Sequence, residues 1–415
     1  MELSSGDRVA LMVPGSVTYV EAVIGLLSAG VIPVPMDPKL TSAERERLLP
    51  YIDPAMIVTA PTQLAELHER FGTRDGLPLA RPMHLTSGTT GAPKGVYSGL
   101  LTTAAAAALL LEERELWGYT ADDINLVLSP MHHSAPLRFA MGTLLAGGRV
   151  VSPGPFDVHA ATRAIVEERP TTMFVVPTHL QRLFAHWDEH GVPDLSCFRL
   201  VAHAGAACPS ALKRRIIEVF PAGSTWEFYG STEGQFTACR SEEWLTHEGS
   251  VGRARPGRTL SVDSDGTIWC KVPEHARFSY WQAPEKTAAA WRGDAFTVGD
   301  LGRLDDDGYL YLDGRREDLI ISGGVNVYPA EVEDVLSQHP GVQEIAVFGM
   351  PDDDWGQRVC AAVVGSVDFD ELRAKAQTEL APAKRPKEYI RVDELPHTAT
   401  GKVQRLRLTT RPLRP

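Results

Sequence analysis

The sequence predicts an α/β protein: a large N-terminal domain with two wound α/β sheet units and a run of short strands, followed by a small α+β C-terminal domain. Three observations carry this. Strand-like apolar runs alternate with amphipathic helical stretches twice along the first 220 residues, the pattern of helices crossing between parallel strands. From about residue 249 the texture changes to short β-like pieces separated by Gly, Pro and Asp turns. After about residue 314 helix and strand mix again over roughly 100 residues, an ordinary domain size.

Taken in order, residues 9–13 are a continuous apolar run ended by Pro-Gly and predict a strand. Residues 19–29 predict a helix, 31–35 a strand, 42–49 a helix and 56–59 a strand. The pattern returns with helices at 160–168, 179–190 and 210–220 and strands at 172–176 and 200–203. Short strands follow at 267–271 and 309–312. The C-terminal part has a helix at 329–338 with Pro at its start, strands at 345–348 and 359–364, and a helix at 369–380. The domains are set at 1–313 and 314–415.

Composition excludes several classes. Forty-one basic against 53 acidic residues give −12, with no long run of like charge, so a nucleic-acid partner has no electrostatic footprint. Five cysteines stand scattered, without C-x-x-C pairs or Cys/His spacing for zinc, as suits a reducing cytoplasm. The N-terminus lacks a basic region followed by an apolar stretch, and the Ala-rich run at 104–111 is too short to span a bilayer. The expectation is a cytoplasmic enzyme with no signal peptide and no membrane segment.

The strongest local chemistry is Thr86-Ser87-Gly88-Thr89-Thr90-Gly91-Ala92-Pro93-Lys94-Gly95, between the apolar residues 83–85 and 95–97. Glycines expose backbone N–H groups, and four hydroxyls and one ammonium add donors suited to a polyphosphate. The spacing is not that of a Walker A loop, so a P-loop NTPase is not supported.

This segment resembles the signature of the adenylate-forming superfamily, which includes acyl- and aryl-CoA ligases, luciferases and peptide-synthetase adenylation domains. Further family elements stand in the expected order: Tyr229-Gly230-Ser231-Thr232-Glu233, Gly299-Asp300, Gly314-Arg315-Arg316-Glu317-Asp318 with Ser322-Gly323-Gly324, and Pro396-His397-Thr398-Ala399-Thr400-Gly401-Lys402. Singly, a Tyr-Gly pair is usually a turn and a Glu a solvated residue; their place in the ordered set decides otherwise. The resemblance implies ATP-dependent activation of a small carboxylic acid as its acyl-adenylate, then thioester formation with coenzyme A. Transfer to a carrier-protein phosphopantetheine or an amine stays open as the alternative. It also implies a small β-barrel-like part in the N-terminal domain and a mobile C-terminal domain.

The resemblance also assigns residues. Lys402 would bridge the carboxylate and the α-phosphate, two anions that repel each other. Glu233 would hold Mg²⁺, a hard oxygen for a hard cation, with Thr232 on the α-phosphate. Tyr229 and Gly230 would pack on adenine, with Gly205 and Ala206 of 204–207 along the adenine and acyl group. Asp300 would accept the ribose hydroxyls, assisted by Arg315. Glu317 stands at the interdomain pivot, where the family usually has Asp or Lys, and Gly323 and Gly324 would line the thiol tunnel; a tight turn there is equally open. His133, in Pro130-Met131-His132-His133, would gate the acyl pocket or serve a structural role. Arg138 could pair with a second substrate carboxylate or lie at the surface.

The phosphate loop begins at residue 86, earlier than is typical of the family, and the segment at 6–10 resembles one that usually follows some fifty residues of additional structure. The expectation is an N-terminal edge that lacks or has lost its first part, which could expose an apolar strand edge and leaves a homodimer open. Pro130–Pro136 contains no carboxylate to hold an α-ammonium, which disfavours an amino acid. Met131, Leu137, Phe139, Met141, Phe228 and Phe236 suit an aliphatic or aromatic acid.

Overall fold

The computed structural model describes residues 2–86, 94–315, 318–322, 325–352, 354–397 and 403–410. They form two compact units, one of Met1–Leu260 with Cys270–Phe296, the other of Ser261–Trp269 with Thr297–Pro415.

The first unit begins with a three-stranded parallel sheet in which Arg8–Leu11 lies between Ile32–Pro35 and Met56–Val58. Each crossover is a helix with a chemically defined start. Ser16 caps Val17–Ser28 by accepting from the Tyr19 N–H, and Thr41 and Glu44 form a reciprocal capping box on Ser42–Ile52. The latter helix carries Pro50 in its last turn and runs three residues past the end of the predicted 42–49 segment. Helix Val17–Ser28 packs so closely on the end of Pro61–Phe71 that a Cβ on Gly25 would sit 1.6 Å from the Phe71 carbonyl oxygen.

The larger sheet of this unit holds the parallel strands Arg149–Val151, Ile124–Val127, Thr172–Val175, Leu200–His203 and Thr225–Glu227 in that spatial order. Antiparallel Thr237–Arg240 and Ser250–Ala254 continue it. Helices Val158–Glu168, Pro177–His190 and Ser210–Val219 cover it, with Phe184, Trp187, Ile165 and Ile216 buried against Met173 and Val201. Burying one such side chain contributes roughly 1.5–3 kcal/mol. Two small antiparallel sheets complete the unit: His84–Thr86, Lys94–Tyr97 and Ser279–Tyr280 form one, and Lys271, Ala295 and Arg292 pair within the other.

In the second unit Asp300–Leu304 and Tyr309–Arg315 form an antiparallel pair. A five-stranded sheet follows, centred on the hairpin Val342–Asp352 with Gly356–Gly365. Both strands exceed the predicted 345–348 and 359–364, because the ladder continues through polar residues such as Arg358 and Gln357. Helices Pro329–Ser337 and Phe369–Glu379 bury Leu336 and Leu372 on this sheet. Arg405 of the helix Arg405–Thr410 donates to both Glu333 oxygens at 2.8 Å and to Asp318 at 3.2 Å. No helix among the described residues is long and apolar enough to cross a membrane.

One buried contact ties the ends of two adjacent strands of the larger sheet. Lys213, fully buried, donates from Nζ to His203 Nε2 at 2.8 Å and lies 3.3 Å from Glu227 Oε2. Burial, and then the Lys213 charge, hold the His203 imidazole well below its usual range, so it accepts as a neutral ring. Burial pushes the Glu227 carboxyl up against the opposing pull of Lys213.

Replacing Lys213 with Met strands a buried carboxylate, a loss of about 3–5 kcal/mol for one member of a buried pair. An unfolded glutamate ionises at about pH 4.3, whereas the folded Glu227 resists ionisation, so the loss grows as pH rises above that value. Thermal melts of Lys213→Met should therefore fall further below the parent chain at pH 8 than at pH 5. An equal drop at both would mean that Glu227 does not carry the penalty.

Candidate active site

Parallel strands send the loops that follow them out at one end of the sheet, the end where open α/β sheets place their ligands. The loops after Ile124–Val127, Leu200–His203 and Thr225–Glu227 all leave there, and they contain Pro130–Pro136, Ala204–Ala207 and Tyr229–Glu233. Phe228 N–H donates to the His203 carbonyl at 3.2 Å, so the second and third of these loops start side by side. Gly205 takes φ 92°, a left-handed conformation in which glycine carries no steric penalty. Ala206 follows it in the same loop.

The Tyr229–Glu233 segment folds back on itself. Gly230 bridges Gln235, and Ser231 N–H donates to the Gly234 carbonyl at 2.9 Å. A Cβ on Gly230 would stand 2.8 Å from the Gly234 carbonyl oxygen, so the turn closes only with glycine there. The Tyr229 ring packs on Phe236 at 4.9 Å between centroids. Ser231 Oγ is buried and has no hydrogen-bond partner among the described residues. Glu233 is buried and accepts from Tyr280 Oη at 2.8 Å.

Tyr280 joins two of the sequence motifs. Its strand pairs with Lys94–Tyr97, Tyr280 opposite Val96, and Lys94 Nζ lies 5.1 Å from the Tyr280 ring centre. Lys94 and Glu233, distant in the chain, thus both contact one phenol. Thr86 stands opposite Lys94 in the antiparallel pair. Ser87, Gly88, Thr89 and Thr90 between them lie outside the described residues, as do Glu317, Gly323, Gly324 and Lys402.

A cavity of about 160 Å³ opens beside this turn, with Ser231, Thr232, Gly234 and Gln235 in its wall. The helices Thr103–Trp117 and Ser134–Leu145 supply Leu109, Glu113, Leu137, Arg138 and Met141. His84 also lines it and donates from Nδ1 to the His132 carbonyl at 3.0 Å, which makes Nδ1 the protonated nitrogen. Burial pulls the His84 imidazole down to about 4, so it is neutral at physiological pH. His133 occupies the position before the helix Ser134–Leu145 and packs on His132 at 4.2 Å between ring centres. Phe139 and Phe228 belong to an aromatic cluster with Trp117 and Phe174.

Arg81, His84, Arg255, Arg258 and Tyr280 were not singled out from sequence. They come from short strands and turns far apart in the chain, with no local pattern that marks them. Asp300 and Arg315, in the second unit, are direct register partners across one antiparallel pair, an arrangement that the Gly-Asp and Gly-Arg motifs do not reveal by spacing. No cluster of three metal-ligating side chains exists among the described residues.

The AMP-binding enzyme model matches residues 1–78 and 83–271, and the model of the AMP-binding enzyme C-terminal domain matches residues 331–402. A 2-succinylbenzoate–CoA ligase from Geobacillus sp. (strain WCH70) is 34% identical over 97% of this chain and 87% of its own length. A long-chain-fatty-acid–CoA ligase from Mycobacterium tuberculosis (strain CDC 1551 / Oshkosh) is 32% identical, with the same coverage. Among solved structures, the o-succinylbenzoate CoA synthetase from Bacillus subtilis in complex with its acyl-adenylate intermediate has a TM-score of 0.85 at 27% identity. That match covers 99% of this chain and 90% of the other. The ordered motifs, the turn that buries Glu233 and these likenesses agree: the chain belongs to the AMP-binding enzyme family.

Proposed function

We propose that this ATP-dependent acid–CoA ligase forms its acyl-adenylate at the mouth of the cavity walled by Ser231, Thr232 and Gln235. The observation that carries this is the meeting of Lys94, Tyr280 and Glu233 beside a cavity large enough for a small acid. A carboxylate oxygen of the acid attacks the α-phosphorus of ATP, and the bond to the departing pyrophosphate breaks. The thiol sulfur of coenzyme A then attacks the acyl carbon, and the bond to AMP breaks.

The first step brings two anions together, so its barrier falls with each fixed donor or cation aimed at them. Ser231 Oγ, buried without a partner among the described residues, is a donor in want of an anion, and Thr232 next to it lines the same cavity. Lys94 adds a cation against the ring of Tyr280, whose hydroxyl meets Glu233. Glu233, already oriented by the Tyr280 hydroxyl, fits Mg²⁺ as a hard carboxylate ligand; the ion would screen the phosphate charge when bound. The family resemblance assigns Tyr229 and Gly205 to the adenine and Asp300 with Arg315 to the ribose hydroxyls. Lys402 bridges carboxylate and α-phosphate, a role assigned by its place in the Pro-His-Thr-Ala-Thr-Gly-Lys motif.

Acid-dependent pyrophosphate release from Mg²⁺-ATP, with and without CoA, tests the reaction across short, branched, dicarboxylic and aromatic acids. No release with any acid would overturn it. Lys402→Ala should abolish release while leaving acyl-CoA formation from supplied acyl-AMP largely intact, and equal loss of both steps would remove the lysine from its role. Glu233→Ala should slow release about 100-fold, as loss of one fixed electrostatic group does in other enzymes, and shift the Mg²⁺ requirement upward. Unchanged turnover at every Mg²⁺ concentration would take Glu233 out of the site.

A further inference from the structure

The cavity is mostly apolar, yet four guanidinium groups line it: Arg81, Arg138, Arg255 and Arg258. Two carboxylates answer them. Glu112 accepts from Arg258 Nη2 at 2.9 Å and also meets His275 Nε2 at 2.7 Å. Glu113 accepts from Arg255 Nη1 at 2.9 Å. The Arg255 and Arg258 side chains, 4% and 5% exposed, are thereby largely satisfied.

The other two are not. Arg138 reaches Glu113 only at 3.5 Å from Nε, with its guanidinium 5.5 Å above the Phe228 ring. Arg81 donates to the backbone carbonyls of Glu233 and Arg277 at 3.4 and 3.0 Å and meets no carboxylate among the described residues. Its Nε is buried without a hydrogen bond. Burial, reinforced by Arg258 and Arg138, outweighs the opposing pull of the Glu233 and Glu113 carboxylates and brings the Arg81 guanidinium down to about 10, far below an ordinary arginine. Glu113 is driven up by burial but held lower overall by Arg138 and Arg255, so it stays ionised and already shared. The site therefore holds cationic charge in excess of its carboxylates, inside an apolar wall where an unpaired charge is costly. An anion at that point relieves the cost. The volume of about 160 Å³ lies below the roughly 300–1,000 Å³ of pockets for drug-sized ligands, so the anion arrives on a short molecule.

We infer that the acid is a short dicarboxylic acid, one carboxylate presented at Thr232 for adenylation and the other held by Arg138 and Arg81. This rests on the ligase reading above for the reaction, though not for the binding. Planar guanidinium groups match a carboxylate in two-point geometry and reject an ester, which offers no charge.

The test is calorimetric binding of dicarboxylic acids of three to six carbons, and of their dimethyl esters, to the full chain. The parent chain should bind the best diacid at least about tenfold tighter than its ester, the discrimination expected of a site built for a buried polar group. Arg138→Met leaves Glu113 paired with Arg255, and Arg81→Met orphans no carboxylate, so both variants should fold. In each the diacid-to-ester ratio should collapse toward one with ester affinity unchanged. Should Arg81→Met fail to fold, Arg138→Met alone decides. Equal binding of diacid and ester by the parent chain, or a ratio that survives the substitutions, overturns the inference. Pyrophosphate release with monocarboxylic acids alone overturns it while leaving the ligase intact. Diacid selectivity in binding without release by any acid leaves the anion site standing and overturns the ligase reading instead.

Discussion

The site depends on two neighbouring parallel strands, Leu200–His203 and Thr225–Glu227, ending at the same level. Their last residues carry the loops that hold Gly205 and Tyr229, so a shift of one strand against the other would separate the two sides of the proposed nucleotide site. Backbone pairing fixes the register over only three residue pairs. The buried Lys213 ammonium adds a side-chain tie at the level of the loops, joining His203 to Glu227 in surroundings where neither could remain polar alone. A lysine suits this better than an arginine. Its single compact charge reaches two acceptors on different strands without demanding the planar fork that a guanidinium imposes.

How much of the molecule was legible in the sequence depends on range. The Tyr229–Glu233 and Thr86–Lys94 elements declare themselves because their chemistry is local: a turn that closes only on Gly230, a strand pair that places Thr86 against Lys94. The early alternation of strand and helix was equally readable, since each element carries its own apolar period. The strands Ile124–Val127, Arg149–Val151 and Thr225–Glu227 were not, being three or four residues long and polar in part, with Asn125 and Glu227 buried through partners distant in sequence. Tyr280 was invisible for the same reason. Its hydroxyl matters only because Glu233 lies 47 positions earlier in the chain and within reach of it in space.

The cations of this chain divide by task. Lys94 starts the central strand of a small sheet beside an aromatic ring, with a flexible stem and a point charge that suits a phosphate oxygen whose position changes during reaction. The arginines are fixed instead. Arg255 and Arg258 are held by Glu113 and Glu112 of the helix Thr103–Trp117, so that helix and the turn after Ser250–Ala254 are locked together around the cavity. In the proposed reaction a mobile charge serves the bond that breaks, and rigid ones define the space in which the acid stands.

Stability alone does not account for that rigid set. Replacing a buried ion cluster by well-packed apolar residues of similar volume is often neutral or stabilising by about 1–4 kcal/mol, and the neighbours here, Leu109, Leu137, Met141 and Phe296, would accept such residues. A purely structural cluster would also be expected to balance. Glu112 and Glu113 instead leave Arg81 on backbone carbonyls and Arg138 at the margin of ion-pair distance. Backbone carbonyls carry only partial charge, so they orient the Arg81 fork without neutralising it, and the Phe228 face does the same for Arg138. Both groups are thus held in place while their charge remains available, the condition under which an incoming carboxylate gains most from binding because little ordering is left to be done.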